Sequence, residues 1–222
     1  MVELVFAIVI MGIVLLAAPM LISTAAKSTS VALQQEGINE ASARINMILT
    51  YDWDENNINV PCGSTPSILH VTAGDDELDE VPGTQTRLGV PLNSNSHTFN
   101  CNGNEYNATA IGKEGTDIDD IDDFNDVTLT DVPLGSGGTD YIEQDTVSIA
   151  TSVSYVPDTA SYGQKEFAYN FPTGDPGGTS NIKHIQVTLT STHAADELEK
   201  TIVLHAFSCN LGSYIHQRRP LP

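Results

Sequence analysis

The chain has 222 residues, with 9 Lys and Arg against 29 Asp and Glu, a formal net charge of −20. So acidic a chain falls outside the nucleic-acid binders, whose affinity comes mainly from Lys and Arg neutralising phosphate. Its 40% hydrophobic content is enough to build a core and excludes a wholly disordered chain, and the length fits one domain, or one domain with an appendage.

The apolar residues are unevenly placed. From Leu4 to Ile22 the sequence reads LVFAIVIMGIVLLAAPMLI, and no charged side chain occurs between Leu4 and Ala26. A run of about 18 to 20 such residues is long enough to cross the hydrocarbon core of a bilayer as a helix. The first 28 residues carry Glu3 and Lys27, which cancel, so all of the −20 belongs to the remainder. The pattern is a membrane-soluble stick joined to an acidic, water-soluble head. A secretory signal peptide would open on basic residues and close on a small-residue cleavage site. Here the first charge is an acid, and no basic residue precedes Lys27. A plain membrane anchor leaves Glu3 unexplained. An ionised carboxylate in hydrocarbon costs on the order of a few kcal/mol at depth, so it marks a function and a partner.

The segment Glu3-Leu4-Val5-Phe6-Ala7-Ile8-Val9-Ile10-Met11-Gly12-Ile13 resembles the N-terminal segment of type IV pilins and the related pseudopilins. The match is strong over about residues 1 to 25 and continues by pattern to about residue 53. The family usually carries two more residues ahead of the position of Met1, and Pro19 sits one residue nearer to Glu3 than the family's proline. The resemblance implies a chain whose leader is removed by a prepilin peptidase and whose new N-terminus is methylated. It implies a pool in the bacterial inner membrane, then a pilus assembly machinery that delivers the chain into an extracellular helical homopolymer. Glu3, Phe6, Ile10, Gly12 and Pro19 are the assembly residues on this reading, with Glu3 partnered by the N-terminal amine of its own or a neighbouring chain.

The residues that follow support a continuing helix. Between Pro19 and Pro61 there is no proline, and Gly37 is the one glycine, so helix breakers are scarce. Val31, Ile38, Ala41, Ile45, Ile48 and Leu49 fall at spacings of three, four or seven, while Glu36, Glu40 and Arg44 take other positions. That spacing predicts one apolar stripe on a polar rod. A helix from the start to about Tyr51 would be roughly 75 Å long at 1.5 Å per residue. The expected organisation is a hydrophobic helix over 1–27, an amphipathic continuation over 28–53 and an acidic β-rich head over 54–222.

From Asp52 onward the texture changes to short alternating runs between Gly, Pro and Asp loops, the pattern of antiparallel strands. Val147, Ile149, Val153 and Tyr155 alternate with Ser and Thr, Ile185, Val187 and Leu189 alternate with polar residues, and Lys200 to Cys209 reads as a partner strand. Ser191 to Glu199 would make the connection. Weaker strand candidates are Ile68 to Thr72, Thr84 to Val90, His97 to Asn100 and Tyr106 to Ile111. One long helix followed by strands gives an α+β fold. The basic tail Gln217-Arg218-Arg219-Pro220 reads as an exposed end.

Cys62, Cys101 and Cys209 are an odd count, so at least one is unpaired in any intramolecular scheme. An exported head reaches a compartment where disulfides persist, and Cys62 with Cys101 flank the early part of the head. The pilin-like family often staples a C-terminal region instead, which would recruit Cys209. The run Asp117-Ile118-Asp119-Asp120-Ile121-Asp122-Asp123 offers hard oxygens from Asp117, Asp119, Asp120, Asp122 and Asp123. Ca²⁺ takes six to eight such ligands, although the turn glycine and closing glutamate of an EF-hand are missing, and a solvated acidic loop is the plainer reading. Asn107 heads an N-x-T sequon. The six His are scattered singly and form no metal-ligand spacing, and there is no nucleophile elbow or phosphate loop. The chain is therefore expected not to be an enzyme. Three roles remain: a filament subunit, a minor pseudopilin of a type II secretion-type machine, and a single-pass anchored ligand-binding protein. Glu3 at the edge of the apolar run favours the first two.

Overall fold

The computed structural model describes residues 2–58, 67–90, 97–101, 103–133, 146–158, 160, 162, 164–166, 174–192 and 200–212. Helix α1 runs Val2–Ile48, 47 residues without interruption at Pro19, about 70 Å at 1.5 Å per residue. Its last turn tightens. Leu49 N–H still donates to the Ile45 carbonyl four residues back, whereas Thr50 and Tyr51 donate to Met47 and Ile48, three back. Carbonyls that a longer helix would have used are satisfied this way, and the helix ends slightly short of the expected Tyr51. A single turn, α2 (Glu55–Ile58), follows.

The head is built on a four-stranded antiparallel sheet of β3 (Val127–Pro133), β4 (Thr146–Tyr155), β5 (Ile182–Thr192) and β6 (Lys200–Cys209), in the order β3-β4-β5-β6. A two-residue pair, β1 (Asn100–Cys101) and β2 (Asn104–Glu105), stands apart. The fold is α+β, with one long N-terminal helix laid on an antiparallel sheet. In the register of β4, β5 and β6, Tyr155, Lys183 and Ser208 are opposite one another, followed by Val153, Ile185 and Ala206, then Thr151, Val187 and Leu204, then Ile149, Leu189 and Ile202. Side chains two residues apart share a face, so these four rungs make the floor on which α1 rests.

The helix touches that floor along Gly37, Ala41, Ile45 and Ile48, all buried. Ala41 and Ile45 pack with Ile149, Val187 and Leu189. Ile48 joins the second core with Trp53, Leu69, Ile121, Phe124, Val153, Tyr155 and Ile185. Of the expected stripe, Ala41, Ile45 and Ile48 are buried, whereas Val31, Ile38 and Leu49 are exposed. The correction has a geometric reason. Steps of four, four and three hold one narrow line, and the close point on that line is a glycine: a Cβ on Gly37 would lie 3.1 Å from Leu189 Cδ1.

Other expectations about strands change as well. Ile68–Thr72, Thr84–Val90 and Tyr106–Ile111 form single bridges, such as His70 with Asn107 and Thr86 with Thr98, whereas His97–Asn100 bridges at Thr98 and enters the short β1–β2 ladder at Asn100. Around Thr84–Val90 and at His97, positive φ at Gly83, Gln85, Gly89 and His97 turns the chain. Strand β3 was not expected, because Val127–Pro133 follows directly on the acidic run. It is an edge strand with a register shift between Leu129 and Val132 and a proline at its end, features that suit an edge. The β5–β6 pairing extends to Ser191 with Lys200, and 193–199 lie outside the described residues, as does the tail 213–222.

Gly37→Val places a branched side chain against Leu189. We expect a loss of about 1 to 3 kcal/mol, the usual cost of overpacking a filled core. Urea denaturation of the full chain in detergent micelles, followed by Trp53 fluorescence, measures it. A stability equal to wild type would contradict this seating of the helix.

Candidate functional site

Two features of α1 define the site: a first half that is exposed among the described residues and an exit held by a buried cation. The most apolar 18 residues within Val2–Ala25 have a mean hydropathy of 2.9 and none of them is buried, so the span is long and apolar enough to cross a membrane. Fifteen large apolar side chains from Val2 to Ile22 are each at least 52% exposed. Leaving a Val, Leu, Ile or Phe in water forgoes about 1.5 to 3 kcal/mol, so the segment as a whole forgoes roughly 20 to 45 kcal/mol. Burial of the segment in an apolar surrounding is therefore strongly favoured over water.

The sequence-predicted assembly residues all lie on this segment. Glu3, Phe6 and Ile10 are spaced by three and four and share one helix face. A Cβ on Gly12 would meet nothing within 4 Å. Pro19 stays inside the helix although it has no N–H to donate to the Leu15 carbonyl. One turn later the Thr24 hydroxyl donates back to the Met20 carbonyl at 2.8 Å.

At the other end of α1, Lys183 occupies a core position of β5 with its ammonium fully buried. Nζ donates to the Trp53 carbonyl at 2.5 Å, to Asp122 Oδ1, and to Asp54 Oδ2 at 3.4 Å. It lies 4.4 Å from the centre of the Trp53 ring and 5.4 Å from that of Tyr155, close enough for cation–π attraction. Both carboxylates are themselves fully buried and further bonded. Asp54 accepts from Asn56 N–H at 3.1 Å and from Thr109 N–H at 3.0 Å and its hydroxyl at 3.2 Å. Asp122 Oδ2 accepts from Gly112 N–H at 3.2 Å. The Tyr155 hydroxyl donates to the Thr109 carbonyl at 2.8 Å, and burial next to Asp54 pushes its pKa up, so it stays a donor. The cluster binds the helix exit and the 109–124 loop to one end of the sheet. Sequence reading missed it, yet a signal exists: Lys183 is in phase with Ile185, Val187 and Leu189, a lysine where the alternation asks for an apolar residue.

The contiguous calcium run is divided. Asp122 is taken by Lys183, and Asp123 Oδ2 accepts the N–H groups of Asp119 and Asp120 at 2.9 and 3.3 Å. Asp117 is exposed and Asp119 half-buried. Asp120, fully buried, accepts from Asp122 and Asp123 N–H on Oδ1 at 2.9 and 3.1 Å, while its Oδ2 has no hydrogen-bond partner. Carboxylate oxygens of Glu55, Glu114 and Asp120 all lie within 4.8 Å of one another. Burial and Asp122 push Asp120 up to about 8, burial and Asp119 push Glu55 up to about 7, and Glu114 is raised by burial and Asp122. These three carboxylates come from the helix exit and the loop together.

Cys62 and the side chain of Cys101 lie outside the described residues, and Cys209 carries a free, exposed thiol. Asn107 is exposed, with its carbonyl accepting from Asn56 Nδ2 at 2.7 Å. The histidines are less scattered than their sequence positions suggest. His184 Nε2 and His205 Nδ1 are 2.9 Å apart, and His184 stacks on Phe207, because β5 and β6 pair there.

No family model, no curated protein and no solved structure matches this chain.

Lys183→Met removes the cation and strands two buried carboxylates. The expected loss is about 3 to 5 kcal/mol, the usual cost of breaking a buried pair from one side, and adding Asp122→Asn should recover part of it. Urea denaturation in micelles is the measurement. A loss below about 1 kcal/mol, the range of exposed pairs, would contradict the burial of this cluster.

Proposed function

We propose that the chain is a structural pilin-like subunit, which polymerises through its N-terminal helix into an extracellular filament resembling a type IV pilus. The observation that carries this reading is a 24-residue apolar helix, unburied by its own head, that opens on an acid, Glu3. A lipid bilayer covers such a helix before assembly, and the helices of other copies cover it afterwards. Glu3 then passes into an apolar bundle, where its carboxylate needs a cation, and the N-terminal amine of its own or a neighbouring copy is the nearest in kind. The partners on this reading are the chain itself, the bacterial inner membrane, a prepilin peptidase and a pilus assembly machinery. The reading assigns the chain no catalytic role.

Breaking a buried charge pair by removing one partner costs about 3 to 5 kcal/mol. Glu3→Ala should therefore leave the chain in the membrane fraction and abolish or severely reduce fibres in sheared surface material. Normal fibre yield from the variant would count against the proposal.

The helix itself should change on assembly. In hydrocarbon, freed backbone groups are costly, so continuity through Pro19 suits the unassembled chain. Packed among other copies, the segment between Gly12 and Met20 can give up helical hydrogen bonds, because Pro19 already lacks one and Gly12 costs about 1 kcal/mol relative to Ala in a helix. A filament reconstruction should show those bonds lost somewhere in Gly12–Met20. An unbroken α-helix from Glu3 through Pro19 to Thr24 would contradict this.

A further inference from the structure

We propose that Glu55, Glu114 and Asp120 form a Ca²⁺ site that clamps the exit of α1 to the 109–123 loop. The three offer carboxylate oxygens within 4.8 Å of one another. Two oxygens bound to one Ca²⁺ at about 2.4 Å can be at most about 4.8 Å apart, so the spacing is what a shared ion needs. Proximity of acids alone would not be enough. The second observation is Asp120: its side chain is fully buried, Oδ1 already takes two N–H groups, and Oδ2 is left with no hydrogen-bond partner. A buried, unsatisfied carboxylate oxygen is expensive, and a cation between the three groups removes that cost.

The chemistry selects the ion. All three donors are hard oxygens, which disfavours the softer metals that prefer nitrogen and sulfur. Glu114 is exposed and Glu55 half-buried, so water can complete a sphere of six to eight ligands. Mg²⁺ demands a near-ideal octahedron and gives up its water reluctantly, whereas Ca²⁺ tolerates an irregular set of carboxylates and water. The position gives the ion a mechanical role. Glu55 opens α2, one residue beyond Asp54, and Asp120 pairs its backbone with Asp52, with Ile121 N–H donating to the Asp52 carbonyl at 3.0 Å. The ion would thus close the outer side of the joint that Lys183 closes from within.

Trp53 is the one tryptophan of the chain and lies two residues from Glu55, so it can sensitise bound Tb³⁺. The experiment uses the full chain in detergent micelles, titrated with Tb³⁺ under Trp excitation and then with Ca²⁺ or Mg²⁺. We expect saturable Tb³⁺ emission, displaced by Ca²⁺ at concentrations at least about tenfold below those required of Mg²⁺. Glu114→Gln, at an exposed position, should keep the wild-type circular dichroism and weaken Ca²⁺ binding by at least about tenfold. Asp76→Asn, on the exposed turn Asp76–Leu78, should change nothing. Ca²⁺ should also raise the melting temperature of wild type and not of Glu114→Gln. Absence of sensitised emission, equal displacement by Mg²⁺, or equal Ca²⁺ affinity in wild type and Glu114→Gln would each overturn the site.

Discussion

A single helix of 47 residues has to satisfy two environments, and the head can supply only one of them. From Gly37 onward α1 lies on the sheet, with Ala41, Ile45 and Ile48 buried against β4 and β5. Ahead of that point, the Val2–Ala25 segment is exposed among the described residues. The hydrophobic deficit of the free half is larger than the whole stability of an ordinary domain. An isolated chain in water leaves that segment exposed. On the proposed reading its environment changes from lipid to protein, with identical helices supplying that protein in the filament.

The head holds the second half of α1 by two kinds of contact. The hydrophobic contact does part of this, through the narrow approach at Gly37 over Leu189. The directional part is polar. Lys183 reaches from the sheet to the Trp53 carbonyl, to Asp54 just past the helix, and to Asp122 in the following loop, so three segments distant in sequence share one cation. Buried ion pairs are often no more stabilising than apolar packing would be, but removing one partner strands a buried charge. A second polar clamp lies farther along. Arg87 donates to the carbonyls of Leu78 and Asn210 and to Asn181 Oδ1, tying the irregular 67–90 region to the ends of β5 and β6. Hydrogen-bonded side chains thus do in the loops what ladders do in the sheet.

The sequence made the periodic parts visible. The apolar run, the breaker-free stretch to Pro61 and the alternation around Ile149, Val153, Ile185, Val187 and Leu189 each repeat a spacing that a helix or strand requires, and each element is present. What stayed hidden depends on pairing at a distance. Lys183 is one lysine among five in the sequence until β5 is laid under the Trp53–Asp54 corner. The acidic run read as a single cluster because its aspartates are adjacent, yet folding sends Asp122 inward, turns Asp123 onto backbone N–H groups and leaves Asp120 facing Glu55 and Glu114. Strand β3 was masked by those same acids, since an edge strand with a bulge and a proline carries little alternation.

The central claim is that the free half of α1 exchanges lipid for other copies of itself. A photo-crosslinking amino acid placed at Ile10, on the exposed apolar face, reports directly on what lies against it. The account predicts lipid adducts in the membrane fraction and chain-to-chain adducts in sheared surface material, both from the same variant. Lipid adducts alone, with no copy of the chain recovered from the surface, would contradict it.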